Sequence, residues 1–226
     1  MITVHHLNNS RSQRVLWMLE ELGLPYEIQR YQRDAKTMLA PPELKRVHPL
    51  GKSPVITDGG LTLAESGAIL EYLVDRYGEG RFKPADMAPT SEDALRYRYF
   101  MHFAEGSAMP PLLLKLIFTK VANAPMPFFA KPIAKGIAAK VLGGVVQPNI
   151  DAQLAFLEAE LATRPWFAGA AFTAADVQMS FPLEAAAARA GSMDAYPRLK
   201  DFLARIHARP AYKQALERGG PYDLMR

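Results

Sequence analysis

Over the first eighty positions the apolar residues switch between a period of two and a period near 3.6, marking half-buried strands and amphipathic helices. Residues 2–7 are apolar and β-branched enough for a strand. From Ser12 to Leu22, the residues Val15, Leu16, Met18, Leu19 and Leu22 recur at helical spacing, and Gly23 supplies the stop. Residues 25–31 predict a second strand, with Tyr26, Ile28 and Arg30 alternating faces with their neighbours. The stretch 36–50 carries Pro41, Pro42 and Pro49 and reads as irregular. Residues 54–57 and 61–63 flank Asp58-Gly59-Gly60, a hairpin signature. Residues 66–77 are amphipathic, with Ile69, Leu70, Leu73 and Tyr77 on one stripe. The order strand, helix, strand, irregular segment, hairpin, helix predicts a small mixed α/β sheet.

Gly78-Glu79-Gly80 and Lys83-Pro84-Ala85-Asp86 then form a linker, and the pattern changes. Beyond about residue 90 the chain is rich in Ala and Leu and shows no convincing strand. Two domains are predicted: mixed α/β over 1–80 and all-α over 90–226. In the second, Phe172-Thr173-Ala174-Ala175-Asp176-Val177 places Thr three residues before Asp, a capping-box variant, with Phe172 and Val177 spaced as a hydrophobic staple. The segment 110–150, with Pro125, Pro127 and Pro132, is long for an ordinary helix pair. It reads as an insertion that roofs a pocket or joins a dimer contact.

Composition narrows the chemistry. A hydrophobic fraction of 49% and a charged fraction of 22% suit a soluble globular protein and exclude disordered or collagen-like chains. The 226 residues include no cysteine, which excludes a disulfide scaffold, Cys-based zinc or iron–sulfur sites and a Cys nucleophile. Any thiol chemistry has to use a thiol from outside. Met1-Ile2-Thr3-Val4 lacks a positive n-region, and no uncharged stretch approaches the roughly 20 residues of a spanning helix. The expectation is a cytoplasmic protein without a membrane span. The net charge of +4 is uneven: five lysines (Lys115, Lys120, Lys131, Lys135, Lys140) and no acid lie between Glu105 and Asp151. The Arg/Lys stripe with interleaved aromatics of a nucleic-acid binder is missing. The lysine segment reads either as a solvated helix face or as a basic, apolar wall for anionic ligands.

Three short motifs carry candidate chemistry, each with a plain structural alternative. Asn8-Asn9-Ser10-Arg11-Ser12-Gln13-Arg14 joins the first strand to the first helix. Ser10 and Gln13 fit a capping box, with Ser12 as an alternative cap. The same helix start suits an anion, and a thiol placed there has its pKa lowered from ~8.5. Ser53-Pro54 enters a strand, either as a strand-initiating proline or as a cis bond that turns the backbone of residue 53 outward. Glu65-Ser66 reads as an acid plus N-cap, or as a second helix-start anion site.

Taken in order, these pieces resemble the glutathione transferase family, in particular its serine-type, bacterial and fungal cytosolic members. The resemblance rests on Asn9-Ser10-Arg11-Ser12, on His48-Pro49-Leu50-Gly51-Lys52-Ser53-Pro54-Val55, on Leu63-Ala64-Glu65-Ser66-Gly67-Ala68-Ile69 and on Phe172-Thr173-Ala174-Ala175-Asp176, and so spans both halves. His48 stands where many members have Asn. The resemblance implies a thioredoxin-like N-terminal domain, an all-helical C-terminal domain, a homodimer, and glutathione as co-substrate without a metal. By position it implies that Glu65 and Ser66 hold the γ-glutamyl group. Ser53, before a cis Pro54, would pair its backbone with the cysteinyl residue, and Lys52 would lie near the glycyl carboxylate. With no Tyr before residue 26 and no Cys, Ser10 is the expected donor to the thiolate, Ser12 the second choice, with Asn9 or Arg11 assisting. Tyr97, His102, Phe103 and Met109 are the expected walls of an electrophile pocket, although aromatics and methionines at helical spacing are more often core. The function implied is conjugation of glutathione to small hydrophobic electrophiles in detoxification. The alternatives are a peroxidase or disulfide reductase using glutathione as its only thiol, or a ligand-binding relative without catalysis.

Overall fold

The computed structural model describes residues 1–189 and 193–225. β1 (Ile2–Leu7) and β2 (Tyr26–Tyr31) are joined by α1 (Ser12–Leu22), and a helical crossover returns the chain parallel to its start. The short α2 (Leu44–Val47) interrupts the proline-rich stretch. β3 (Val55–Asp58) and β4 (Leu61–Ala64) form the predicted hairpin, and β3 runs antiparallel to β1. The sheet order is β2-β1-β3-β4. Val4 sits opposite both Ile28 and Ile56, so one apolar row crosses three strands. Gly23 ends α1 in the left-handed region (φ 68), and the Gly23 and Leu24 N–H groups donate to Glu20 and Leu19 carbonyls. α3 (Ser66–Tyr77) closes the unit, and the hydroxyls of its Tyr72 and Tyr77 both donate to Asp58 on the hairpin.

The helical half contains α4 (Glu92–Phe103), α5 (Met109–Asn123), α6 (Lys131–Val141), α7 (Gln147–Thr163), α8 (Ala174–Arg189), α9 (Pro197–Ala208) and α10 (Pro210–Gly219). The 110–150 segment is not a separate insertion. A π-turn at Ala104–Ala108 joins α4 to α5, and another at Leu142–Val146 joins α6 to α7, giving two long rods that form one hairpin. Pro110, Pro111 and Pro148 explain both turns: a proline lacks the N–H that continues the helical ladder, and a one-turn widening absorbs the defect.

α8 is buried from Ala174 to Ala186 and forms the axis on which the other helices pack. Its start is the predicted cap. Asp176 Oδ2 accepts from the Thr173 N–H at 2.8 Å and the Thr173 hydroxyl at 3.1 Å. Its other oxygen accepts from the Phe167 N–H at 2.9 Å, which also fixes the turn that closes with a Trp166–Gly169 bridge. α1 lies between the sheet and this helical half, packed on α3, α8 and α10 and buried on nearly every face. The site therefore forms where the start of α1 meets the helical rods.

Candidate active site

Two connected hollows open along the boundary between the halves. The first, about 300 Å³, is lined by residues from the β3 entrance, the start of α3 and the α4–α5 turn: Lys52, Ser53, Pro54, Glu65, Ser66 and Glu105 among them. The second, about 510 Å³, is walled by Met109, Leu112, Leu116 and Phe181 and rimmed by Arg33, Lys120 and Arg189. Arg11 and Leu113 line both, so the two form one cleft with Arg11 at the junction.

At the β1–α1 turn the backbone decides which side chains face this cleft. Asn9 has φ 51, a left-handed conformation that asparagine tolerates better than most residues. Asn9 and Arg11 line the cleft, whereas Ser10 and Ser12 do not, and both serines are buried, at 4% and 0% exposure. The predicted capping box does not form: Arg11 is the cap residue, without a side-chain cap hydrogen bond, and the Gln13 amide nitrogen has no partner. Instead the serines belong to a buried chain. Ser12 Oγ lies 2.8 Å from His6 Nδ1 and 2.7 Å from Ser10 Oγ. Burial pushes the His6 pKa down to about 4, and a backbone contact at Gly219 favours the protonated ring, as a carbonyl acceptor does. A neutral His6 ring with its proton on Nε2 accepts at Nδ1 from the Ser12 hydroxyl, which also reaches the Leu7 carbonyl at 3.4 Å. The two serine hydroxyls share one hydrogen bond, and the Ser12 N–H donates to Ser10 Oγ at 3.2 Å. Ser10, paired with Ser12, stands outside the set of residues that line the cleft. Asn9 Nδ2 donates one N–H to Asp223 at 2.6 Å and retains a second.

The start of α3 is held from below by Arg14. This arginine, nearly inaccessible inside α1, donates to Ser66 Oγ at 2.8 Å, to the Gln178 carbonyl at 2.7 Å and to Glu105 Oε1 at 2.5 Å. Gln178 Nε2 also donates to Ser66 Oγ, at 3.3 Å. Arg11 Nε meets both Glu105 oxygens at 2.8 Å, so two guanidinium groups share one carboxylate and the junction keeps a positive excess. Glu65 is exposed to the cleft with φ 71, a costly region for a side-chain-bearing residue, and its carboxylate has no partner among the described residues. The Ser53–Pro54 bond is cis. The Ser53 hydroxyl donates to the His5 carbonyl at 2.9 Å, so its backbone, not its side chain, is left for a ligand.

Of the residues expected from sequence, Arg11, Lys52, Ser53, Pro54, Glu65, Ser66 and Met109 line the cleft. Ser10 and Ser12 do not, for the reason above. Tyr97 and Phe103 are core residues; Phe103 belongs to an aromatic cluster with Tyr99, Phe100 and Phe156, and His102 is exposed outside the cleft. Lys120 reaches the rim, while Lys115 donates to Gln147 away from it. Arg14, Glu105 and Gln178 were not singled out from sequence. A lone arginine directly before the apolar run 15–19 of α1 was the available signal for the first. Among the described residues no cluster of His, Asp or Glu has metal-ligand geometry, and no helix is long and apolar enough to cross a membrane.

Comparison with known proteins agrees with this layout over the whole chain. The family model for the glutathione S-transferase N-terminal domain matches residues 1–75, and that for the C-terminal domain matches residues 144–210. Glutathione S-transferase 3 of Schizosaccharomyces pombe is 40% identical over 222 residues, covering 96% of this chain and 88% of the relative. Glutathione S-transferase 1 of Saccharomyces cerevisiae is 34% identical, covering 96% and 95%. A glutathione S-transferase structure from Actinobacillus pleuropneumoniae superposes with a TM-score of 0.78 at 34% identity, over 100% of this chain and 96% of the other. A sphingomonad glutathione S-transferase solved with glutathione gives 0.72 at 26% identity, over 96% and 98%. A thioredoxin-like unit, an all-helical partner and near-complete relatives at these identities lead to one conclusion: the chain belongs to the glutathione S-transferase family.

Proposed function

We propose that this enzyme transfers the glutathione thiolate to small, largely apolar electrophiles. The single observation that carries the reading is the start of α3, where an unpartnered Glu65 carboxylate at φ 71 stands beside Ser66 at a helix N-terminus. That pair suits a zwitterionic amino-acid head: the carboxylate takes an ammonium, and the helix start with Ser66 takes a carboxylate. The Ser53 backbone would pair with the cysteinyl residue in the manner of an added strand, and Lys52 would meet the glycyl carboxylate. Extended from α3 past Ser53, the tripeptide brings its sulfur toward the 9–11 turn.

There Arg11 and the free N–H of Asn9 are the groups that meet the sulfur. The positive excess left by Arg11, Arg14 and Glu105 favours the thiolate over the thiol, and the released proton goes to solvent. The thiolate forms the new carbon–sulfur bond with an electrophile lying on Met109, Leu112 and Phe181, while the leaving group departs with its electron pair. Retention on immobilised glutathione tests the binding half of this reading. A panel of aryl halide, organic hydroperoxide and mixed disulfide tests the reaction, with conjugation expected to dominate. Arg11→Ala is expected to lower conjugation about tenfold or more and to raise the bound thiol's pKa toward ~8.5. Ser10→Ala is expected to stay within about threefold of wild type. A tenfold loss in Ser10→Ala would return the thiolate contact to that serine.

The rim adds a substrate preference. Lys120 and Arg189 have no acidic partner among the described residues, and Arg33 is held only by carbonyls and the Asn8 side chain. Against these cations the described lining of the second hollow sets one acid, Asp223. Electrophiles bearing a carboxylate are therefore expected to be favoured over their neutral esters, and Lys120→Glu/Arg189→Glu to reverse that order. An unchanged order in the double variant would remove the rim from substrate choice. The reading includes a cytoplasmic homodimer, for which the exposed Leu95 and Tyr99 on α4 with Phe156 on α7 offer an apolar face.

A further inference from the structure

We propose that the tip of the α5–α6 hairpin docks this enzyme on an anionic bilayer surface. The tip is Pro125-Met126-Pro127-Phe128-Phe129, between the end of α5 and the start of α6. Phe128 is 87% exposed and Phe129 66%, and among the described residues the two rings make a ring contact with each other alone, edge to face at 5.8 Å. Ile133 and Ile137, one turn apart on the same face of α6, are 65% and 56% exposed and extend the apolar surface. Single exposed apolar residues are common on soluble proteins, but a contiguous aromatic tip with an isoleucine ridge marks a surface that something covers.

Charge selects the occupant. Lys120 lies in the last turn of α5, Lys131 opens α6 and Lys135 follows one turn later, so lysines flank the phenylalanines in the chain on both arms of the hairpin. No acid occurs anywhere from residue 106 to residue 150. An aromatic tip backed by lysines matches the two layers of a bilayer interface, apolar at the acyl boundary and anionic at the headgroups. A second copy meeting tip to tip would instead bring lysines against lysines. Because no described helix is long and apolar enough to cross a membrane, the hairpin would lie in the interface and the enzyme on the surface. The electrophile-side hollow runs along α5 from Met109 to Lys120, toward the same tip. Apolar electrophiles dissolved in the bilayer would then reach the cleft from the docked face.

The test is co-sedimentation of the full chain with phosphatidylcholine vesicles, with and without phosphatidylglycerol. Binding is expected only with the anionic lipid and is expected to weaken as salt is raised. Phe128→Ser/Phe129→Ser should weaken it about tenfold or more, and Lys131→Glu/Lys135→Glu should abolish the preference for phosphatidylglycerol. All four positions lie outside the cleft, so conjugation of a water-soluble electrophile should be unchanged in both variants. Absence of binding, or binding that neither variant alters, overturns the proposal. So does a wild-type oligomer that Phe128→Ser/Phe129→Ser dissociates in light scattering, which would assign the tip to a second copy of the chain.

Discussion

Replacing Asp176 by alanine is expected to destabilise the protein by about 3–5 kcal/mol, read from urea unfolding, with the start of α8 opening first. The reason is geometric. One fully buried carboxylate accepts from the Phe167 N–H, the Thr173 N–H and the Thr173 hydroxyl, and none of these donors has water to turn to when it is removed. Each orphaned buried donor costs on the order of 1–3 kcal/mol, and the cap itself contributes about 1 more. The effect reaches beyond α8, because the same carboxylate holds the turn carrying Trp166 and Phe167, on which Phe202 of α9 packs. Hydrogen exchange of the Phe167 and Thr173 amides would report the loss directly.

The same residue gives the protein a pH signature. Burial is the main cause that pushes Asp176 up to about 6, against the pull of its three hydrogen bonds. A carboxyl raised above its unfolded value binds protons more tightly in the folded state, so its contribution to stability is full below the ordinary carboxylate range. That contribution falls as pH rises through about 6. The stability of wild type relative to Asp176→Asn, which cannot titrate there, is therefore expected to decline across this window and then level off. A difference that stays flat, or grows with pH, would show that Asp176 is not the titrating group.

Arg14→Lys is expected to raise KM for glutathione at least about tenfold while changing kcat at saturating glutathione much less. Arg14 touches no ligand in the proposed arrangement; it positions Ser66. Its planar fork reaches Ser66 on α3, the Gln178 carbonyl on α8 and Glu105 on the α4–α5 turn at once. A lysine keeps the charge but places one ammonium where three diverging contacts are made, so the start of α3 loses its brace. Arg14→Leu removes the charge as well and is expected to cost about 2–4 kcal/mol of stability through orphaned acceptors and altered packing. Equal effects of Arg14→Lys on KM and kcat would show that Arg14 acts on the reacting sulfur and not through Ser66.

Much of the fold could be read from local pattern. The strands at 2–7 and 26–31, the hairpin around Asp58-Gly59-Gly60, and the helices 12–22 and 66–77 follow the periodicity and turn residues closely. The Thr173–Asp176 cap was legible for the same reason: its partners lie three residues apart. The long rods were harder, because Pro110, Pro111 and Pro148 look like helix breakers until a π-turn absorbs them. In the site, Glu65, Ser66, Lys52 and Ser53-Pro54 stand out as helix-start or strand-entry residues. The burial of both serines at the first helix start was not legible, since a capping pattern says nothing about which way consecutive side chains turn.

The sequence by itself determined the type and order of the elements, the change of architecture near residue 80 and the need for a borrowed thiol. These are properties of spacing, turn chemistry and composition, all encoded within a few residues or in the absence of one residue type. Only the tertiary structure decided that Asn9 and Arg11 face the cleft while Ser10 and Ser12 join His6 in a buried chain. It also decided that Arg14 clamps Ser66, Gln178 and Glu105, which lie 52, 164 and 91 residues away. Such choices depend on the left-handed turn at Asn9. They depend equally on the meeting of α1 with helices far along the chain, where packing, not periodicity, sets the orientation of each group.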